Sequence, residues 1–184
     1  MKPSSSKITD SFATRFGEPE IISADIYSRP ISVNISPDGQ AITVLFDGSI
    51  VAELVTDGKD SVTTVAVVRV PVTLPEPITE TFLGYYVNFK GFIDKTEGTH
   101  VSIFVNVGNA TKTIQYKVGT PLHEDFDENI FSFGNKHPLP PSAHLTAMIV
   151  ITMQRSGKQD NGLVKIDSLD VEINKLQTIP KDEE

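Results

Sequence analysis

Apolar residues in this chain recur two apart far more often than three or four apart. Ile31, Val33 and Ile35 alternate with Ser32, Asn34 and Ser36, the period of a strand with one buried face and one wet face. Ser36-Pro37-Asp38-Gly39 then reads as a tight turn. Pro37 presets φ, Asp38 can bond its own backbone, and Gly39 tolerates a positive φ. Residues 41–46, AITVLF, are dense in β-branched and aromatic side chains. Such a run suits a strand covered on both faces. Periodicity alone leaves a buried helix open, but length and the flanking turn residues favour the strand. Asp47-Gly48 predicts a second hairpin turn before Leu54.

The alternation continues. Val62, Thr64, Ala66, Val68, Val70, Val72 and Leu74 share one phase, and Pro71, which cannot donate to a ladder, marks a bend or a sheet edge. Residues 80–94 form an aromatic strand, with Leu83, Tyr85, Val87 and Phe89 on one face and Phe82, Tyr86 and Phe92 on the other. Val101, Ile103, Val105 and Val107 alternate, a turn follows at residues 106–110, and Ile114, Tyr116 and Val118 share the next face. Residues 119–129, GTPLHEDFDEN, read as an acidic loop, 130–133 as a short strand and 134–142 as a proline-rich connector. A long strand over residues 143–154 keeps Ala143, Leu145, Ala147, Ile149, Ile151 and Met153 in phase, and residues 155–162 read as a wide polar hairpin loop. In residues 163–173, Val164 and Ile166 share one phase while Leu169, Val171 and Ile173 occupy the other. A bulge near Ser168 restores the register.

Nine or ten strands at hairpin-like spacing, with no long helix, predict an all-β fold: a two-sheet antiparallel β-sandwich of jelly-roll or Greek-key type. The expected organisation is a partly disordered segment over residues 1–20, one sandwich domain over 21–174 and a disordered acidic tail over 175–184. Within the first segment, Phe12 and Phe16 sit four apart and suit one helical turn before Pro19, and Glu20 and Ile21 suit the start of an edge strand.

A chain of 184 residues suits one domain with a real core. No apolar run approaches the ~20 residues of a membrane span. The net charge of −8 opposes a nucleic-acid partner, which calls for a basic face, and is compatible with calcium or a basic partner. With no cysteine, disulfides, thiol catalysis and thiolate metal sites are excluded. The first twelve residues lack an apolar core, so no signal peptide is expected in this chain.

Three segments carry a family resemblance. Residues 35–47, ISPDGQAITVLFD, resemble the SPDG-x-A-x-T-V-x-F-D segment of the domain-of-unknown-function family 4360. Residues 89–94, FKGFID, followed by Gly98, are similar to its aromatic-x-G-aromatic-x-D-x-x-x-G strand and turn, and Ile166-Asp167-Ser168-Leu169 matches its close. The resemblance spans about residues 31–173 and implies a sandwich architecture and secretion. That family has no established activity. The closing strand VKIDSLDV is also similar to the last strand of galactose-binding-type jelly rolls, in which an acidic residue often helps hold a structural calcium.

Candidate chemistry is sparse. Asp125 and Asp127, in the acidic stretch with His123, Glu124 and Glu128, offer oxygen ligands to a hard cation. Asp94 and Asp167 each follow an apolar strand residue and are further candidates for a structural Ca2+, with backbone carbonyls completing the shell. Solvated and turn-capping carboxylates are the competing account of all four. Phe82, Tyr85, Tyr86 and Phe92 offer a platform for sugar rings or an apolar ligand, with core packing as the competing account. His144 opposes the apolar phase of its strand and is a candidate groove residue. The histidines show no metal-ligand spacing, and no G-x-S-x-G elbow, P-loop or dinucleotide fingerprint occurs.

The first functional reading is therefore a non-enzymatic binding or interaction module for a carbohydrate, surface polymer or protein. A small cofactor-independent enzyme of cyclase or isomerase type, using a pocket in the sandwich, is the second. A self-assembling structural protein that pairs through exposed strand edges is the third.

Overall fold

The computed structural model describes residues 15–17, 20–21, 32–73, 81–108, 110–131 and 142–178. Among them are eleven strands: β1 (Arg15–Phe16), β2 (Glu20–Ile21), β3 (Ser32–Ile35), β4 (Ala41–Leu54), β5 (Ser61–Thr73), β6 (Thr81–Lys95), β7 (Thr99–Val107), β8 (Ala110–Tyr116), β9 (Leu122–Phe131), β10 (Ser142–Arg155) and β11 (Gly162–Thr178). One sheet runs β1-β5-β10-β7-β8, with β2 also on β5, and the other runs β3-β4-β11-β6-β9. From β4 onward the chain passes from one sheet to the other at almost every connection. The resulting orders, β4-β11-β6-β9 facing β5-β10-β7-β8, are those of a jelly roll.

The period of two sets what is buried. Ile42, Val44 and Phe46 of β4, Val68 and Val70 of β5, Val87 and Phe89 of β6, Ile103 and Val105 of β7, Ile149 and Ile151 of β10, and Val164 and Val171 of β11 meet in one core between the sheets. Across the core edge, Phe89 and Phe126 pack edge to face with centroids 6.0 Å apart. Gly91 lies beside them, where any Cβ would strike the Lys165 carbonyl and the Phe126 ring.

The turn at Ser36 forms as its residues dictate. Gly39 N donates to Ser36 O at 2.8 Å, with Gly39 at φ 72°. The Ser36 hydroxyl, and then the Gln40 amide, hold the Asp38 carboxyl below the usual carboxylate range. The expected bulge near Ser168 is also present. Ile166 pairs with Gly91 and Ser168 with Lys90, leaving Asp167 as the extra residue.

Several expectations are corrected. Asp47-Gly48 does not reverse the chain. Leu45 pairs with Ser168 and Ile50 with Ile166, so residues 46–49 stand against Asp167 alone and β4 continues beyond them. Asp47 (φ 43°) and Gly48 (φ 71°) adopt the left-handed geometry of a tight turn, closed by Ser49 Oγ on Phe46 O at 2.5 Å. They form a protrusion because both halves of β4 find the same partner, β11. Most of the stretch read as an acidic loop is strand β9, paired with β6 from Tyr86↔Phe131 to Lys95↔Leu122. Phe126 and Ile130 anchor it, while its carboxylates blunt a sheet edge. Residues 155–162 form no hairpin, because β10 and β11 belong to different sheets.

At the termini, Phe16 lies in strand rather than in a helical turn, opposite Val72. Glu20 and Ile21 pair with Arg69 and Val68 as an edge strand, with Pro71 between the two short partners of β5. β11 continues to Thr178, into the stretch read as tail. Phe12, residues 134–141 of the connector and residues 179–184 lie outside the described residues. Among the described residues no helix is long and apolar enough to cross a membrane.

Candidate functional site

Residues opposite one another in an antiparallel ladder point to the same side of the sheet. The register of β3-β4-β11-β6-β9 therefore lays its outer face out in rows. One row crosses all five strands: Asn34, Thr43, Asp170, Asn88 and Asn129. Every member is a hydrogen-bonding side chain. Thr43 Oγ1 donates to Asp170 Oδ1 at 2.5 Å. Asn88 Nδ2 donates to Asn129 Oδ1 at 2.7 Å and also to Asp127 Oδ1. The Tyr86 hydroxyl, one row away on β6, donates to Asn129 Oδ1. Asn88 is 8 % exposed, and its Oδ1 is the buried side-chain atom that has no partner among the described residues.

Beyond the bulge the character changes. A row of Val51, Lys165, Phe92 and Asp125 is followed by one of Glu53, Leu163, Asp94 and His123. The half-buried Phe92 ring meets His123 edge-on, with centroids 5.0 Å apart and planes at 85°. His123 Nδ1 lies 3.3 Å from Asp94 Oδ2, and Lys90 Nζ lies 3.8 Å from Asp127 Oδ2. Partial burial, and then the nearby charge of Asp125, push the Asp167 carboxyl up, while Lys165 pulls it back.

This face gathers most of the residues singled out from the sequence. Tyr86, Phe92, Asp94, Asp125 and Asp127 share it, with Asp167 at the bulge. Tyr85 is on the opposite side of β6, 1 % exposed, with its hydroxyl donating to Val107 O inside the core. Among the described side chains of β6, the aromatic pair on the outer face is therefore Tyr86 and Phe92. Phe82 pairs with Gln177 in the backbone register, and its side chain lies outside the described residues. His144 is exposed on the other sheet, opposite Pro71. Among the described residues no three His, Asp or Glu side chains are grouped to hold a metal ion, the four aspartates included.

Asn88, Asn129, Asp170, Thr43 and Glu53 were not singled out from the sequence. The phase of β6 places Asn88 beside Tyr86 and Phe92, so spacing could have found it. The others need the strand pairing.

At the Asp94 end of the face is a pocket of about 360 Å³, lined by Glu53, Val55, Thr56, Asp94, Asn161 and Leu163 among others. The loops around it are fixed from inside. The Arg155 side chain is 2 % exposed. Its guanidinium donates to Val55 O and Lys158 O, each at 3.1 Å, to Gly58 O, and to Asp60 Oδ1 at 3.3 Å. Asp160 Oδ1 accepts from Thr96 Oγ1 and Gly98 N, each at 3.1 Å. Lys95, also buried, donates to Lys117 O at 3.0 Å and Thr120 O at 2.6 Å, and burial pulls its pKa down. Buried cations satisfied by carbonyls hold three loops in one arrangement.

No protein-family model matches the sequence, and no curated protein matches it. Among solved structures it is similar to TmCBM61 in complex with β-1,4-galactotriose, at 13% identity and TM-score 0.28, over 79% of this chain and 89% of that one. It is also similar to arabinose-bound MgGH51 α-L-arabinofuranosidase, at 10% identity and TM-score 0.28, over 83% of this chain and 23% of that one. A third is PfGH50B, at 13% identity and TM-score 0.26, over 92% of this chain and 24% of that one. The chain thus spans about a quarter of the length of the last two.

Proposed function

We propose that this protein is a carbohydrate-binding β-sandwich that holds a glycan chain along β6, on the outer face of the β3-β4-β11-β6-β9 sheet. The observation that carries this reading is the half-buried Phe92 ring standing among carboxylates, amides and a lysine on one sheet face. A pyranose has apolar C–H faces and a rim of hydroxyl groups. An aromatic ring supplies flat apolar area for the first, and fixed polar side chains engage the second. The network of Tyr86, Asn88, Asp127 and Asn129 is ordered by its own hydrogen bonds, so little side-chain freedom is left to lose on binding. Tyr86 and Phe92 lie six residues apart on a strand whose pairing with β9 is unbroken, roughly 20 Å along the sheet. That length suits several sugar units.

A glycan array followed by titration calorimetry of the retained glycans tests this reading. A retained glycan whose affinity depends on Phe92 is the expected result. Retention of no glycan, with turnover of a small metabolite instead, would overturn it in favour of an enzyme.

A further inference from the structure

The pocket at the Asp94 end carries more than a general affinity for sugars. Glu53 and Asp94 both face Leu163, one from each side, so their backbones are two strand spacings apart, about 10 Å. Leu163 and the 53 %-exposed Val55 supply apolar surface between and beside them. Asn161 and Thr56 add an amide and a hydroxyl at the loop wall, 3.5 Å from each other.

Among the described residues, no lysine or arginine forms an ion pair with Glu53 or Asp94, and His123 is the basic group beside Asp94. Ionised carboxylates accept hydrogen bonds and donate none. A group with several donors and a positive charge complements these walls, whereas a carboxylate or sulfate would be repelled. The face beyond the pocket agrees in sign: Asp125, Asp127, Asp170 and Glu172 outnumber Lys90 and Lys165, and such a field concentrates cations.

Resting on the reading that this face binds a glycan, we propose that the pocket between Glu53 and Asp94 receives the protonated amine of a 2-amino sugar, so that the preferred ligand is a cationic glycan. The ammonium lies against the carboxylates and the C–H face of the ring lies on Leu163. Acetylation of the amine removes both the charge and two of its three donors.

The test is calorimetric titration of the whole chain with four probes: a β-1,4-linked glucosamine tetramer, its N-acetylated counterpart, cellotetraose and tetralysine. At low ionic strength the free-amine tetramer should bind about ten-fold more tightly than its N-acetylated counterpart, and the advantage should shrink in 0.5 M salt, where the Debye length is only about 4 Å. Glu53→Gln with Asp94→Asn should abolish the preference, with an unchanged circular dichroism spectrum as the check on folding. Equal affinity for the three sugars overturns the amine site and leaves the glycan reading standing. Tetralysine binding as tightly as the amino sugar also overturns it, in favour of unspecific attraction. No binding of any sugar here or on the array removes both.

Discussion

The two outer faces of this sandwich are built by the same alternation and carry opposite surfaces. On the β5-β10-β7-β8 side three successive rows are Thr63, Thr152, Ser102 and Gln115, then Val65, Val150, Phe104 and Thr113, then Val67, Met148, Asn106 and Thr111, and the row after them carries the Arg69–Glu20 pair. No carboxylate stands in these three rows. On the β4-β11-β6-β9 side nearly every row holds one. Among the described side chains each face has one half-buried phenylalanine, Phe104 on the first and Phe92 on the second. What differs is the company: valine and threonine around Phe104, aspartate, lysine and histidine around Phe92. The inward half of each strand satisfies the core, so the outward half is where the two sheets are free to diverge, and the chemistry lies in that divergence.

Five substitutions probe this contrast. The largest effect is expected from Arg155→Ala, which removes the buried guanidinium that the Val55, Gly58 and Lys158 carbonyls share. It should cost about 3 kcal/mol and lower Tm by roughly 6–12 °C. Hydrogen exchange should rise first at residues 55–60, at the pocket end, before the neutral rows are affected. Phe92→Ala should weaken glycan binding about ten-fold, some 1.4 kcal/mol, with the fold intact. Phe104→Ala should leave affinity within about two-fold while costing stability. Equal losses from the two variants in calorimetry would erase the distinction between the faces.

Asp167→Asn tests the charge side. In the folded state this carboxyl is pushed up by burial and by Asp125. A raised carboxyl pKa means that folding favours the protonated acid, so stability is fully present below the unfolded-state pKa and is lost as pH rises through the folded-state pKa. The amide should therefore raise Tm slightly at pH 7, by under about 2 °C, and leave it unchanged near pH 3 in thermal melts. Smallest of all, His144→Ala should not alter glycan affinity, because His144 stands on the other sheet, away from Phe92.

Much of the fold was legible from spacing alone. The strands that became β5, β6, β7, β10 and β11 declare themselves by a phase of two, and the break in that phase after Ile166 marks the bulge without any knowledge of the partner strand. β9 was not legible, because Glu124 and Glu128 occupy inward register positions opposite Ile93 and Phe89. There they sit at a sheet edge, and Glu128 reaches Lys112 of β8. Alternation is hidden when an edge strand places carboxylates such as Glu128 at inward positions between its apolar anchors. Asp47-Gly48 misled for another reason. The same left-handed pair serves a hairpin or a protrusion, and only long-range pairing with β11 decides between them. For the site, parity placed Tyr86 and Phe92 together. The meeting of Asp94, Asp125, Asp127 and Asp167 on that face, and of Glu53 with Asp94 at the pocket, depends on neighbours scores of residues away in sequence.

The paired irregularity at residues 46–49 and Asp167 bears on the shape of any ligand. Insertions at one level in adjacent strands raise the local twist and bend the sheet there. On the proposed glycan-binding reading, such a bend would crease the face between its amide-rich half and its Phe92 half. A flat crystalline lattice would touch such a surface only along a ridge, whereas a single dissolved chain can turn with it. If the glycan reading holds, such a crease would favour soluble, pliable polymers over packed solid ones.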